Sequence, residues 1–508
     1  MSWQLVRNSF ANLSGAALPA LVALATIPFI VSRLGEVNYG ILTMVTAIVG
    51  YFALIDINVT SASVKYVAQY RATSRLPELY QVVTFGALVY LAIGVVGGVC
   101  IFFGAEWLSR QLFNVPQSLA PLTQRTLELA AIGFLFGQMQ VYLGSIPQSL
   151  QRFDISAKIE AAFGALVPLL TVLILWLGYG LYEVVLLRVV LSALNAAVAA
   201  VASWRLIPGF RLSWPSRTIA RQLASFSAFS YLSGIAAACY AHADKLIIGA
   251  LVGMASLTYY VIPSTLINRV LGLTFRLSSV VYPAASELES LRQFDRLKAI
   301  YFSATRYVFY LNACIVVFAC LFAEEILHYW MGEEFARQGA LIMVLTALAM
   351  LVDSMTNLPS MLADGMGHPR VTGLFSVFRA AVGLVATFVF ATQYGIVGVA
   401  TGHLLVSVVM AMSFLVYVHR ETIPYRLGEL LRECYLMPFA ALGASFVLLT
   451  AIKPNHELGL TATLVFGASI AIGYVLFGFY FVLDTVHRHA LLAAALGKLR
   501  SKFPKARS

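Results

Sequence analysis

The sequence predicts an all-α polytopic membrane protein of about fourteen transmembrane helices, and three observations carry that expectation. The chain is 60% hydrophobic and only 11% charged, where a soluble domain holds roughly 25% charged residues. Its apolar residues fall into successive stretches of the roughly 20 residues that one bilayer crossing needs. Several landmarks recur about half a chain apart, the mark of an internal duplication.

Fourteen stretches can be placed in order, near residues 10–31, 38–62, 79–103, 126–149, 157–177, 181–203, 223–250, 257–284, 303–326, 338–363, 371–391, 396–418, 434–452 and 460–483. The first begins after Arg7 as a signal peptide would, but it continues through Pro19 and Pro28 and reads as a retained span. The connections are short, and none holds a soluble domain. Cys100, Cys239, Cys314, Cys320 and Cys434 lie in or beside spans without a C-x-x-C pair, so they read as small core residues.

Four landmarks repeat in order at offsets of 212 to 219 residues. FFGAEWL at 102–108 matches LFAEEIL at 321–327; IPQSL at 146–150 matches LPSML at 358–362. GYGL at 178–181 matches QYGI at 393–396, and RLGEVNYGIL near 33–42 weakly matches ALVGMASLTYY near 250–260. Two six-helix lobes in the same orientation are expected, related by a pseudo-two-fold axis along the membrane normal, with two further helices at the C-terminus. The expected division is 1–204 for the first lobe, 205–222 for a cytoplasmic linker and 223–420 for the second lobe. Transmembrane helices 13 and 14 occupy 421–486, and a basic cytoplasmic tail occupies 487–508.

A net charge of +11 can signal nucleic acid, yet the basic residues are scattered between apolar spans and report topology instead. With the N-terminus inside, 23 Lys and Arg fall on one side and 5 on the other. Cytoplasmic loops retain such residues, so both termini are expected in the cytoplasm. The tail GKLRSKFPKARS then reads as a solvated arm at the anionic inner leaflet.

Polar residues inside the spans are the candidate site. Arg269 and Arg276 share a helical stripe with Thr265, Gly272 and Ser279. A cation near the bilayer centre costs on the order of 2.5–3.5 kcal/mol, so such a stripe points to a polar cavity or to structural pairing with an acid. Arg188, Lys245 and Arg379 are further cations within spans. Asp56 shares a face with Thr46, Thr60 and Ser63; it can pair with the span 8 arginines, hold a coupling ion or cap its helix. His403 is either a packed histidine or a titrating one. Asp244, Glu160 and Asp353 read first as pairing partners for cations, and G94-x-x-x-G98 as a packing motif without function.

No phosphate loop, H-E-x-x-H or Cys/His metal spacing occurs, so neither a cofactor nor ATP hydrolysis is expected. A membrane glycosyltransferase or polymerase is the leading enzyme alternative, but its catalytic groups need a substantial outer loop. The longest here, roughly 104–125, offers only Glu106, Arg110 and Arg125.

FIVSRLGEVNYGILTM, ADKLIIGALVG at 243–253 leading to YYVIPSTL, and LPSMLADGMGHPRV at 358–371 together resemble a known pattern. It is similar to that of the polysaccharide-exporter (Wzx-like) branch of the superfamily that contains multidrug extruders and lipid-linked oligosaccharide flippases. The resemblance implies a non-enzymatic, alternating-access transporter for an undecaprenyl-pyrophosphate-linked sugar, serving O-antigen, capsule or exopolysaccharide synthesis. It also implies a lipid bilayer and a polysaccharide polymerase and chain-length proteins as partners, with H+ or Na+ as coupling ion. An ion-coupled multidrug exporter is the alternative; it would favour an acidic cavity, whereas the span arginines suit pyrophosphate oxygens.

Topology is directly testable. Single cysteines at Ser216, Phe294 and Ser501 should resist an impermeant thiol reagent in intact spheroplasts, and cysteines at Gln117 and Asn455 should react. Labelling at position 501 would reverse the assigned orientation.

Overall fold

The computed structural model describes residues 3–52, 59–150, 152–207, 209–223, 242–278, 285, 288–289, 291–452, 459–485 and 488. Among them there are helices and no strand. The elements are α1 (Trp3–Leu34), α2 (Glu36–Phe52), α3 (Val59–Ala72), α4 (Leu76–Trp107), α5 (Ala120–Ser149), α6 (Phe153–Trp176) and α7 (Leu181–Leu206). A helix over 242–251, α8, precedes α9 (Met254–Ser278), α10 (Phe294–Met331), α11 (Glu333–Gly365) and α12 (Pro369–Glu421). The last are α13 (Met437–Ile452), entered through a π turn at Leu431–Leu436, and α14 (Leu460–Phe477), leaving through one at Gly478–Val482.

Nine helical segments of the described chain are long and apolar enough to cross a membrane. One of them, α12, is 53 residues long and reverses at Gly395, where φ is 58° and ψ −141°. Only glycine adopts this conformation readily. After the reversal the second arm lies against the first, so closely that a Cβ on Gly398 would collide with the Phe390 carbonyl. Outward faces of α4 and α12 expose Val95, Val96, Val99, Phe103, Val385, Phe388 and Val409, as a bilayer-facing surface must.

The chain divides into two compact units, residues 1–269 with 373–406, and residues 270–372 with 407–508. In the first, α1 packs on α6, and α5 packs on both α4 and α7. Its core gathers Val59, Val82, Tyr90, Tyr142, Ile146 and Leu223. Tyr90 and Tyr142 stack at 5.1 Å, and the Tyr142 hydroxyl donates to the Val83 carbonyl at 3.0 Å. The duplicated landmarks have matching local structure at two places. Gly35 and Gly253 both have positive φ, 76° and 122°, and IPQSL and LPSML both bring a proline into the closing turns of a helix, α5 and α11.

In the second unit α10 is the hub, packed against α11, α13 and α14. Lys298 pairs with Glu429, and Cys434 donates to the Phe302 carbonyl at 3.3 Å. His419 donates from Nδ1 to the Leu415 carbonyl at 2.9 Å, so its Nε2 accepts from the Tyr301 hydroxyl at 3.1 Å. Asp484, just past α14, accepts from Ser303 at 3.0 Å and Tyr307 at 2.7 Å and pairs with Arg306. The C-terminal elements are thus tied to α10 by two carboxylates, Glu429 ahead of α13 and Asp484 after α14.

Burial pushes the Asp484 carboxyl upward, but hydrogen bonds from Tyr307, Arg306 and Ser303 outweigh it and hold the group below its ordinary value of 3.8. A depressed folded value stabilises above the unfolded value and is lost as pH falls through the folded one. Asp484→Asn should therefore lower the melting temperature of the purified protein at pH 7, by a loss of about 1 kcal/mol given the 39% exposure of the side chain. Wild type and variant should converge below pH 3.8.

Candidate functional site

The candidate residues that the structure brings together lie in the first unit. The tripeptide Ala243–Lys245 opens α8 beside both arms of α12. Asp244, Thr387 and His403, with Ala243, Gly383, Leu384 and Val406, line a small space that opens to the outside. A carboxylate, an imidazole and a hydroxyl facing one space can bind a small cation or exchange a proton. Asp244 also holds Lys245, at 3.0 Å between Oδ1 and Nζ, so that ammonium is neutralised where it stands. Arg379 is half-buried on the first arm of α12, one turn before Gly383.

Arg188 on α7 donates to the Thr46 hydroxyl of α2 at 3.2 Å, while its Nε is buried without a hydrogen-bond acceptor among the described residues. A guanidinium has five N–H donors, so this one retains capacity for a further anionic oxygen. Arg269 is exposed on α9, beside the exposed Asn268 and near Gly272, whose surroundings are open. Arg276 lies on the same helix, and α9 places it about 10 Å further along the axis. Glu160 is exposed on α6, and Asp353 is half-buried on α11 in the second unit; neither lines the α8–α12 space. Asp56 falls outside the described residues.

Two residues here escape a reading of charge alone. His242 precedes Asp244 by two residues, and its ring sits against Gly50, where an added Cβ would come within 2.7 Å of Cε1. Its Nδ1 is buried without a hydrogen-bond partner among the described residues. The run His242-Ala-Asp-Lys in an otherwise apolar stretch was the available signal. Thr46 was visible only as a member of a polar stripe; the arginine that gives it a role is 142 residues away.

At one end of this unit three connections are joined by short contacts. The Thr258 hydroxyl donates to the Glu36 carbonyl at 2.6 Å, and the Asn114 amide donates to the Gly249 carbonyl at 3.1 Å. Between them α2 and α9 approach so closely that a Cβ on Gly40 would strike the Met254 carbonyl. The 35–36, 113–115 and 249–254 connections therefore meet at the same end.

A family model described as polysaccharide biosynthesis protein matches residues 30–340, more than half of the chain. The chain belongs to the polysaccharide biosynthesis protein family. This member is 19% identical over 403 residues to a Shigella flexneri protein named as an O-antigen transporter, covering 78% of this chain and 93% of that one. The lipid II flippase MurJ, in an inward closed conformation, superposes with a TM-score of 0.71 at 13% identity, covering 93% of this chain and 99% of that one. A multidrug-resistance MATE transporter in its inward-facing conformation gives 0.64 at 14% identity, covering 83% and 96%. At such identities the superpositions establish the fold alone, an all-helical one. The family member is a multi-pass membrane protein.

The Gly40 contact yields a stability test. Gly40→Ala should destabilise the protein by about 1–3 kcal/mol through overpacking against the Met254 backbone. Gly272→Ala, in open space on α9, should leave the melting temperature unchanged or slightly raised.

Proposed function

We propose that the chain is a flippase that carries a polyprenyl-pyrophosphate-linked oligosaccharide from the cytoplasmic to the periplasmic leaflet of a bacterial inner membrane. The product would serve O-antigen, capsule or exopolysaccharide synthesis. Within a family that serves polysaccharide biosynthesis, the observation that carries the reading is the set of cations on apolar helices: Arg188, Lys245, Arg269, Arg276 and Arg379. Apolar helices tolerate such charges where they meet an anionic partner or water. A pyrophosphate presents oxygens that match the planar donor forks of arginine.

Transport by alternating access requires a site reachable from one side at a time. The hydrogen bonds that join Glu36 to Thr258 and Asn114 to Gly249 at one end of the first unit support that mechanism. Asp244 and His403 are the coupling groups in this reading, with H+ or Na+ as the ion, and Asp56 joins them from its position in the sequence. Lys245 competes with a cation for Asp244, so ion binding would release that ammonium toward an anionic substrate. A polysaccharide polymerase and chain-length proteins are the expected neighbours.

Arg269→Ala and Arg276→Ala should leave expression and melting temperature nearly unchanged while abolishing glycan export, and lysine should rescue in part. A stable double variant that exports at the wild-type rate would sink the headgroup assignment. Asp244→Asn and His403→Ala should each reduce export and its sensitivity to an uncoupler. If both variants leave that sensitivity intact, coupling lies elsewhere.

A further inference from the structure

The segment joining α7 to the chain before α8 has no part in the transport reading, yet it is built in an unusual way. From residue 184 to residue 243 the sequence contains no Asp or Glu, while Arg205, Arg211, Arg217 and Arg221 follow within seventeen residues. All four arginines are exposed. Beside and between them Trp204, Leu212 and Trp214 are 66%, 82% and 84% exposed, far more than apolar side chains of this size tolerate in water.

The backbone is nevertheless fastened down. Ile207, Ile219 and Leu223 are buried with Tyr70, Val82 and Val83, and Phe210 packs edge-on against Tyr80. The Ser213 amide donates to Thr84 Oγ1 at 3.3 Å and the Ser216 amide to Gln81 Oε1 at 3.0 Å. Gln81 and Thr84 stand five and eight residues into α4, so at the helical rise the strap crosses α4 roughly 7–12 Å from its first residue. That is the depth of a lipid headgroup layer on a helix long enough to cross a bilayer. One side of the strap is therefore nailed to the protein, and the other presents tryptophan, leucine and arginine outward at the membrane surface.

We propose that residues 204–207 and 209–221 form a binding site for anionic phospholipid headgroups. Trp204, Leu212 and Trp214 occupy the layer between headgroups and acyl chains, where tryptophan concentrates in membrane proteins. Arg205, Arg211, Arg217 and Arg221 meet the lipid phosphates, and no carboxylate of the strap opposes them. Charge and apolar surface thus alternate along a held backbone, which fits a lipid surface better than a soluble acidic partner. The site rests on the membrane-crossing assignment of α4 and α7 and on neither the glycan substrate nor the coupling ion.

The test uses the full-length protein reconstituted in bilayers that mix phosphatidylcholine with brominated phosphatidylglycerol. Quenching of tryptophan fluorescence across compositions gives the preference for the anionic lipid, and the difference between wild type and Trp214→Phe isolates the strap's share. Wild type should prefer phosphatidylglycerol, with the preference falling in 0.5 M salt as screening grows. Changing Arg211 and Arg217 to Gln should cost roughly fivefold per arginine until no preference remains, and changing both to Lys should keep it. Quenching of the Trp214 signal no greater than the bulk fraction of brominated phosphatidylglycerol predicts, an undiminished preference in the Gln variant, or a Trp214 signal quenched by aqueous iodide instead of brominated lipid would overturn the assignment. Because export is not read, failure of the transport proposal leaves this result standing.

Discussion

Hydrocarbon offers no hydrogen bonds, so every backbone N–H and C=O inside the bilayer must be satisfied within the chain. This constraint sets the architecture before any side chain is considered. It also explains why polar side chains within the helices so often turn back on their own backbone. Thr26, Thr126, Thr171, Thr401 and Ser413 each donate to the carbonyl four residues earlier. Prolines at 19, 28, 168, 263 and 359 are accommodated inside helices without ending them. With the backbone so confined, function must reside in the side chains that break the apolar pattern.

Those side chains fall into two groups. Arg306 and Lys298 are committed to carboxylates, and these pairs fasten α10 to the C-terminal helices of its unit. Both pairs are partly exposed, so each adds only about 1 kcal/mol to the packing of these elements. Arg188 and Arg269 have no carboxylate among the described residues; one leans on a hydroxyl and the other is exposed. Lys245 stands between the groups, because its partner Asp244 also faces the space shared with His403.

Fold class was legible in the sequence because apolar composition and span length are properties of contiguous residues. The candidate charges were legible for the same reason, each standing out against its neighbours. Their partners were not. Arg306 takes its carboxylate from Asp484, 178 residues on. Likewise the close approach of Gly40 to Met254 depends on which helices meet, and a glycine inside an apolar span carries no such information. Periodicity names the face a residue occupies; only the fold supplies what that face meets.

The reversal at Gly395 also bears on how the chain enters the membrane. Two arms of 26 residues, 369–394 and 396–421, are joined by a single residue and packed against each other from the first turn. No polar loop separates them to be held on one side while the first arm crosses, so the pair has to enter as a hairpin. Arg379 and His403 lie on opposite arms. Each then passes into the bilayer with a neighbouring helix already alongside, and biosynthesis never exposes either polar group to lipid on a lone helix.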